Sequence, residues 1–468
     1  MKNALFSILL FALCIQNIHA QSIEGSWQGE LAVMGQKIPL IVHFSEKEGE
    51  WSGKMDSPNQ GAMGIAMRKV LFDGTMLSFE MSMGNASYEG LLLGEQIKGN
   101  FSQSGMSIPL DFTKAKDGEL KSAQPNRPQN PQEPFEYEIQ ELSFENSEAG
   151  ILLKGTLTKP AGNGPFPTVV LISGSGPHNR DHEIMGHRPF WVMADYLTNR
   201  GIAVLRYDER GVGESKGVYT DATTIDLMTD VSAALDFLKS QDYVDSKRLG
   251  VIGHSEGGLI SWMLGAEYEG LDFLITMAPP VIPITELMDK QTEAITRVSG
   301  ANEMIVKAAV ERNREVYQVV VESNNIDEIK PKLKELFESQ LKSMGIPESM
   351  MDAQLKQLQQ AYESQLDTWM INFLKMKPAD YIHRIDIPVF AAFGSKDLQV
   401  DAAQNGNELI ALFSDKPELL EVKVYENQNH LFQTAQTGAV DEYAKIEESI
   451  SYLLLEDIVK FIESIGSN

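Results

Sequence analysis

Short runs of alternating apolar and polar residues fill the first part of the chain, separated by Gly, Asn and Ser. Examples are Ile38–Phe44, Met76–Met81 and Tyr88–Leu93. Alternation with a period of two places apolar side chains on one face of a strand, and the turns recur about every ten residues. We therefore expect about eight antiparallel strands over residues 22–115, arranged as a small β-barrel or β-sandwich. Residues 116–134 carry four prolines and no apolar periodicity, which predicts an extended linker.

Beyond residue 135 the pattern changes to buried strands that alternate with amphipathic helices. Strands are predicted at 135–144, 151–157, 166–173, 202–207, 248–253, 272–278, 388–393 and 419–425, and helices at 189–198, 223–240 and 443–462. Strands that are apolar on both faces belong to a sheet that is covered on both sides. The pattern predicts an α/β domain over 135–468 with an eight-stranded, mostly parallel sheet, made mixed by a hairpin at its start.

A helical segment at about 283–378 interrupts this alternation. Helices are predicted at 284–298, 302–322, 327–344 and 348–376. Because the segment lies between two sheet strands, we expect a four-helix cap over the carboxyl edge of the sheet, where α/β proteins bind ligands. Trp369, Phe373 and Met376 recur at helical spacing, which predicts packing within the cap and an apolar lining for a pocket beneath it.

The stretch Gly253-His254-Ser255-Glu256-Gly257 joins a predicted strand to a predicted helix. A Ser between two Gly residues in that context is typical of a nucleophile elbow, in which the hydroxyl projects from a sharp turn. Ser255 is therefore the candidate nucleophile. The backbone N–H of Glu256, at the helix start, is a candidate oxyanion donor.

A serine nucleophile needs a base, and the base needs an orienting carboxylate. Only His383 and His430 lie downstream of Ser255. His430 follows the last predicted strand and is our candidate base, whereas His383 precedes a strand, at the opposite edge of the sheet. Asp397 follows the preceding strand and is our candidate acid; its rival Asp401 is better placed to cap a helix.

The second oxyanion donor should come from the glycine-rich loop after the first parallel strand. That loop reads Gly174-Ser175-Gly176-Pro177, and we predict the N–H of Ser175. The polar turn over residues 208–215 is interpreted as a structural hydrogen-bonded turn. His178, Asp181, His182 and His187 form a loose cluster without an established metal-ligand spacing, so we expect no metal.

Together these stretches resemble the α/β-hydrolase superfamily. Within it, the chain is similar to S33-type serine-aminopeptidase-like hydrolases and carboxylesterases among exported bacterial proteins. The stretches that carry the resemblance are 171–177, 208–213, 253–258, 394–400 and 429–433. The resemblance implies a Ser255–Asp397–His430 esterase that uses no cofactor. Ser173 stands where many relatives carry a histidine, and the resemblance does not extend to the N-terminal β-domain.

The composition of the chain limits the kinds of partner that we expect. The formal net charge is −26 and the pI is about 4.7, and the chain has no basic run. An acidic surface argues against nucleic acid and anionic membranes. A small-molecule ester or a short peptide is the expected substrate, and the sequence leaves homo-oligomerisation open.

The first twenty residues are typical of a signal peptide. Lys2 precedes an apolar stretch over residues 4–15, and Ile18-His19-Ala20 provides a cleavage site before Gln21. The chain's one cysteine, Cys14, lies inside this segment, and Leu13 before it argues against lipidation. We expect an exported protein, periplasmic or secreted, without a membrane span.

The leading functional prediction is hydrolysis of carboxylic esters with small to medium acyl groups, through an acyl-enzyme on Ser255. An aminopeptidase or amidase acting on short peptides is the alternative. A binding protein that uses a hydrolase scaffold without catalysis is a third hypothesis.

Overall fold

The computed structural model describes residues 22–33, 36–47, 49–57, 62–81, 86–103, 106–115, 126–363 and 365–466. The predicted signal peptide and Cys14 lie outside these residues. The chain divides into two compact units, Met1–Gln124 and Pro125–Asn468. No helix within the described ranges has the length and apolar character needed to cross a membrane.

The first unit contains a closed antiparallel barrel, in which each strand pairs with the next and β1 pairs with β8. Its strands are β1 (Gly25–Val33), β2 (Gln36–Lys47), β3 (Glu50–Ser57), β4 (Ala62–Phe72), β5 (Met76–Met81), β6 (Ala86–Leu93), β7 (Gln96–Gln103) and β8 (Met106–Lys114). Every second side chain points inward, as in β6, where buried and more exposed residues alternate. Trp27 is fully buried, and its indole N–H donates to the carbonyl of Ile23 at 2.7 Å. The prediction of an eight-stranded β-domain is confirmed, and the architecture is the barrel.

The second unit is built on an eight-stranded sheet in the order β16-β15-β14-β13-β11-β12-β10-β9. Its strands are β9 (Glu138–Asn146), β10 (Ile151–Lys159), β11 (Phe166–Ile172), β12 (Ala203–Tyr207), β13 (Val244–His254), β14 (Phe273–Met277), β15 (Val389–Gly394) and β16 (Leu420–Tyr425). β10 runs antiparallel to both of its neighbours, and the remaining neighbouring pairs are parallel. Every residue of β12, β14 and β15 is buried, as expected for strands covered on both faces. The predicted fold class is confirmed.

Helices cover both faces of this sheet and form the cap. They are α1 (Pro189–Thr198), α2 (Thr224–Lys239), α3 (Glu256–Glu267), α4 (Ile284–Val298), α5 (Glu303–Val321), α6 (Ile326–Ser343), α7 (Glu348–Glu363), α8 (Thr368–Phe373), α9 (Ala379–Ile382), α10 (Ala402–Leu412), α11 (Val440–Tyr443) and α12 (Tyr452–Ser464). The first nine residues of α3, Glu256–Leu264, are buried on every side, so this helix lies in the core. The helices α4 to α8 lie between β14 and β15, which is where the sequence predicts the cap.

Two helix predictions differ from the structure. The predicted helix over 348–376 is instead α7 and α8, and α8 starts afresh where the Asp367 carboxylate accepts the N–H of Met370 at 2.7 Å. The predicted helix over 443–462 starts at Tyr452, because the Ser451 hydroxyl caps it by accepting the N–H of Leu453 at 3.2 Å. In both cases a polar capping residue satisfies the first-turn N–H groups and sets the helix start.

The predicted extended linker also differs from the structure over its second half. Residues 126–134 belong to the second unit. The Arg127 guanidinium donates to the carbonyls of Met185, Ala444 and Ile446 at 2.7–3.1 Å. The Gln129 side-chain amide donates to the carbonyl of Ile450 at 2.7 Å. Because these bonds satisfy loop carbonyls, this part of the chain is fixed to the unit rather than extended.

Candidate active site

Ser255 occupies a sharp turn between β13 and α3. Its φ is 56°, a left-handed conformation that costs free energy for a residue with a Cβ. Neighbouring glycines permit this turn: a Cβ at Gly253 would lie 2.0 Å from the Gly257 carbonyl oxygen, and one at Gly257 would lie 2.3 Å from that of Ile172. Only glycine fits at either position. The local geometry is that of a nucleophile elbow, as the sequence predicts.

Two backbone N–H groups beside Ser255 are free to bind an anion. The N–H of Glu256, at the start of α3, and the N–H of Ser175 have no acceptor in the described part of the chain. The loop of Ser175 lies against the nucleophile, since a Cβ at Gly174 would lie 3.1 Å from the Ser255 Cβ. Free donors at a helix start favour a developing negative charge.

His430 and Asp397 form a buried pair at the same edge of the sheet. His430 Nδ1 lies 2.7 Å from Asp397 Oδ2. The other carboxylate oxygen accepts the backbone N–H groups of Gln399 and Val400 at 2.7 and 2.9 Å. The turn after β15 therefore holds the carboxylate, and the carboxylate orients the imidazole.

The second ring nitrogen of His430, Nε2, is the one that can serve Ser255. Ser255 and His430 both line one cavity, and His430 binds Asp397 through Nδ1, which leaves Nε2 for a proton from the hydroxyl. The described hydrogen bonds do not include one between Ser255 Oγ and Nε2. Such bonds are often long in ligand-free active sites and tighten when substrate binds.

His254 supports the base and is a site residue that the sequence analysis did not identify. Its Nε2 donates to the His430 carbonyl oxygen at 2.8 Å, across 176 residues of sequence. Burial, together with the nearby His430, lowers the pKa of His254 to about 3. The ring is therefore neutral at physiological pH. It fixes the backbone of the loop that carries the base.

The cavity above Ser255 has a volume of about 270 Å³. Its walls include apolar side chains from α4 and α8 and a group of histidines. The lining residues are Gly174, Ser175, His178, His182, Ile184, His254, Ser255, Pro280, Leu287, Met288, Gln291, Trp369, Met370, Phe373, Gln399, Val400, His430 and Leu431. Met376, predicted as lining, is absent from this set of described residues. No Asp or Glu side chain lines the cavity among them.

The polar turn over residues 208–215 holds the oxyanion loop. Asp208 accepts the backbone N–H of Arg180 at 2.8 Å and pairs with its guanidinium. Glu209 accepts the N–H of His178 at 2.7 Å. Both acceptors lie on this turn, and both donors lie on the chain that follows Ser175, so the turn has a structural role.

The loose histidine cluster is engaged in other contacts. Asp181 pairs with Arg206. His187 contacts the Ser449 hydroxyl at 2.9 Å and the Tyr443 carbonyl at 2.8 Å. Burial lowers the pKa of both His178 and His182, so these rings are neutral beside the cavity. No group of metal-binding side chains occurs among the residues that the structure describes.

The two rival residues of the sequence analysis lie outside the site. Asp401 caps α10, where its carboxylate accepts the N–H of Gln404 at 2.7 Å. His383 is exposed at the end of α9, before β15. The structure therefore brings together Ser255, His430 and Asp397, which we call the edge set.

The barrel contains a second hydrogen-bonded group of a serine, a histidine and an aspartate, which we call the barrel set. Ser26 Oγ lies 2.7 Å from His43 Nδ1, and His43 Nε2 lies 2.8 Å from Asp56 Oδ2. These residues lie on three neighbouring strands, on the outer face of the barrel. β1 pairs with a strand on each side, so the N–H groups around Ser26 serve the β-ladder. This set lacks the strained turn and the free donors of the edge set.

The second unit has the fold of α/β hydrolases, and the edge set has the arrangement expected of a serine-hydrolase site. Comparison with known proteins agrees, because the family described as "Serine aminopeptidase, S33" matches residues 187–372. Esterase EstD of Thermotoga maritima is 29% identical over 318 residues, which cover 66% of this chain and 66% of EstD. Esterase FrsA of Yersinia enterocolitica is 35% identical over 130 residues, 28% of this chain and 29% of FrsA. These matches show that the chain is similar to esterases and to the S33 serine aminopeptidase family.

Among solved structures, the esterase PF2001 of Pyrococcus furiosus is similar, with 16% identity and a TM-score of 0.42. The match covers 73% of this chain and 98% of that protein. The aligned regions span about two thirds of EstD and less than a third of FrsA.

Proposed function

We propose that this protein is a serine esterase that cleaves carboxylic esters through an acyl-enzyme on Ser255. The observation that carries the proposal is the edge set: a serine on a strained turn shares a cavity with a histidine that a buried carboxylate orients. The esterase relatives support the same activity.

Acylation begins when the Ser255 hydroxyl attacks the ester carbonyl carbon and His430 Nε2 takes its proton. Asp397 stabilises the imidazolium that forms, because its carboxylate accepts the Nδ1–H. The negative charge on the former carbonyl oxygen is stabilised by the free N–H groups of Glu256 and Ser175. Collapse of this intermediate breaks the ester bond, and His430 returns the proton to the leaving alcohol.

Deacylation repeats these steps with water as the nucleophile. His430 removes a proton from the water, which attacks the acyl carbonyl, and Ser255 leaves with the proton that His430 returns. Since the base must be neutral to accept a proton, activity should fall as the solution becomes acidic.

The cavity favours apolar acyl groups of small to medium size. Its volume of about 270 Å³ lies at the small end for ligand pockets, and α4 and α8 contribute Leu287, Trp369 and Phe373 to its wall. An aminopeptidase would need a carboxylate to receive the substrate's ammonium group, and the described lining contains none. Esters are therefore the better substrates for this cavity than peptides.

A paired assay tests this proposal on the purified protein. We expect p-nitrophenyl butyrate to be hydrolysed with a kcat/KM at least a hundredfold above that for aminoacyl p-nitroanilides, since a bound ammonium group without a partner costs about 3 kcal/mol or more. Preferential cleavage of the anilides would contradict the esterase proposal and favour the aminopeptidase alternative.

We also propose that the protein is exported. Lys2, the apolar stretch over residues 4–15 and the Ile18-His19-Ala20 site support this part of the proposal. Cell fractionation followed by N-terminal sequencing tests it. A mature chain that begins at Gln21 outside the cytoplasm is expected, and a cytoplasmic chain that retains residues 1–20 would contradict it.

A further inference from the structure

The side chain of Glu256 is buried behind the wall of the cavity. Glu256 is 1% exposed and does not line the cavity itself. Its Oε1 accepts the Thr224 hydroxyl at 2.5 Å and the indole N–H of Trp369 at 2.7 Å. One carboxyl group therefore joins three elements: the elbow helix α3, the start of α2, and α8 of the cap.

Trp369 is the partner that reaches the cavity. It lines the wall and stacks on Phe373, with ring centroids 4.8 Å apart and an angle of 16° between the planes. The indole N–H is its one side-chain polar group, and that group is bound to Glu256. The Glu256 carboxyl therefore fixes where the Trp369–Phe373 pair stands relative to Ser255.

The surroundings of Glu256 favour its uncharged form. Burial raises the pKa of Glu256, and the hydrogen bonds of Thr224, Trp369 and Ser175 offset only part of this effect. The neighbouring ionisable group Glu209 is also buried, and burial together with Glu256 raises its pKa well above the ordinary value. Burial raises the pKa of Tyr219, and the nearby Glu209 and Glu256 carboxyl groups add to this effect. No cation is among the described groups that shift the Glu256 pKa, so a carboxylate there would be compensated by hydrogen bonds alone.

We propose that Glu256 is a positioning residue, which fastens the cap to the nucleophile elbow through Trp369 and so sets the cavity's selectivity for apolar acyl chains. This inference rests on the proposed esterase function. Glu256 acts through the Trp369–Phe373 wall of the cavity, and a longer acyl chain has more apolar surface to place against that wall than an acetyl group has. Its loss should therefore raise KM more as the acyl chain lengthens.

The hydrogen bond between Trp369 and Glu256 predicts how substitutions behave. Glu256→Gln keeps an acceptor for the Trp369 N–H at nearly the same shape, whereas Glu256→Leu fills the space and removes the acceptor. Trp369→Phe removes the donor and keeps an aromatic ring in the wall. If the bond between these two residues sets selectivity, Glu256→Leu and Trp369→Phe remove the same interaction, and the double variant should be no worse than either single one.

The experiment measures kcat and KM for p-nitrophenyl acetate and p-nitrophenyl hexanoate on the full-length variants. We expect the hexanoate-to-acetate ratio of kcat/KM to fall about tenfold in Trp369→Phe and in Glu256→Leu, the size of effect that one buried hydrogen bond produces. The change should lie mostly in KM for hexanoate. Glu256→Gln should restore most of the ratio that leucine removes.

Trp191→Phe provides the matched control, since it makes the same chemical change on α1, away from the cavity lining. It should leave the ratio unchanged. An equal loss for both esters in Trp369→Phe, or effects of Trp369→Phe and Glu256→Leu that multiply in the double variant, would overturn the proposal. If Glu256→Leu does not fold, the ratio in Trp369→Phe alone decides. A wild-type protein inactive on both esters would instead refute the esterase function.

Discussion

The barrel set and the edge set contain the same three residue types, and in both a histidine bridges a serine and an aspartate. The ring nitrogens are used in opposite order: Nδ1 faces the aspartate in the edge set and the serine in the barrel set. The larger difference lies in the surroundings. Ser255 has a positive φ, two free N–H groups and a cavity beside it, whereas Ser26 lies in a strand paired on both sides.

The comparison shows that residue identity and hydrogen bonding alone do not make a serine an effective nucleophile. A tetrahedral intermediate needs donors for its oxyanion and room for its acyl group, and both come from backbone geometry. In the second unit that geometry results from parallel strands that end at one edge, so loops after β11, β13, β15 and β16 meet there. Around Ser26 in the barrel, the described strand β1 pairs with β2 on one side and with β8 on the other, so the backbone N–H groups there serve the sheet.

The largest expected effect separates the two serines. Ser255→Ala should lower kcat for ester hydrolysis by roughly 10⁵-fold or more, because the covalent route is lost. Ser26→Ala should leave kcat unchanged. Initial rates with p-nitrophenyl butyrate and circular dichroism spectra on both variants check this. Equal losses of kcat in the two variants would contradict the claim that only the edge set is catalytic.

The next largest effect on kcat should separate the two aspartates, Asp397 of the edge set and Asp56 of the barrel set. Asp397→Asn should lower kcat on the order of 10³- to 10⁴-fold, since an amide in its place favours the wrong tautomer of His430. Asp56→Asn should leave kcat unchanged. Steady-state kinetics with the same ester measure both. Activity of Asp397→Asn within tenfold of the wild type would show that another group orients the base.

A smaller effect is expected at His254. His254→Phe keeps a ring but removes the Nε2–H that holds the His430 carbonyl, and should lower kcat/KM about tenfold, as loss of one buried hydrogen bond does. Because the pKa of His254 is lowered to about 3, this ring is neutral at every pH above about 4. The acid limb of the kcat/KM profile should therefore keep its midpoint in the variant. A displaced midpoint would mean that His254 itself titrates during catalysis.

The smallest effect concerns stability in the barrel. Burial alone would raise the pKa of Asp56, but hydrogen bonds from His43 and the Gly64 N–H outweigh it and lower the pKa. The ionised form is thus favoured in the folded state. This contribution is present above the unfolded pKa, about 3.9, and is lost as the pH falls through the folded value. Asp56→Asn should cost about 1 kcal/mol at pH 7 and less at pH 3.

Scanning calorimetry of the full-length wild type and Asp56→Asn at pH 7 and pH 3 measures this difference. A cost that stays the same at both pH values would show that the carboxylate charge contributes nothing.

Much of this architecture could be predicted because its signals are local. The buried strands, the elbow glycines around Ser255 and the polar residues after β15 and β16 are all visible within a few positions. Chain order then selects His430 over His383. Helix ends were predicted less well: the apolar periodicity continues across Asp367 and Ser451, and only their capping side chains indicate new helix starts.

Contacts between distant segments could not be predicted. The Glu256–Trp369 bond spans 113 residues, and that between His254 and His430 spans 176. The barrel set depends on the register of three strands, which the alternating pattern leaves unspecified. A glutamate between Ser255 and two glycines, at the start of a helix whose first nine residues are buried, is the one local signal that could have drawn attention to the Glu256 side chain.

Covalent labelling tests the central claim most directly, because it reports which serine reacts. The intact protein is treated with a fluorophosphonate, digested and examined by mass spectrometry. The account predicts one adduct, on the peptide that contains Ser255, and its loss in Ser255→Ala. An adduct on Ser26, or labelling that persists in Ser255→Ala, would contradict it.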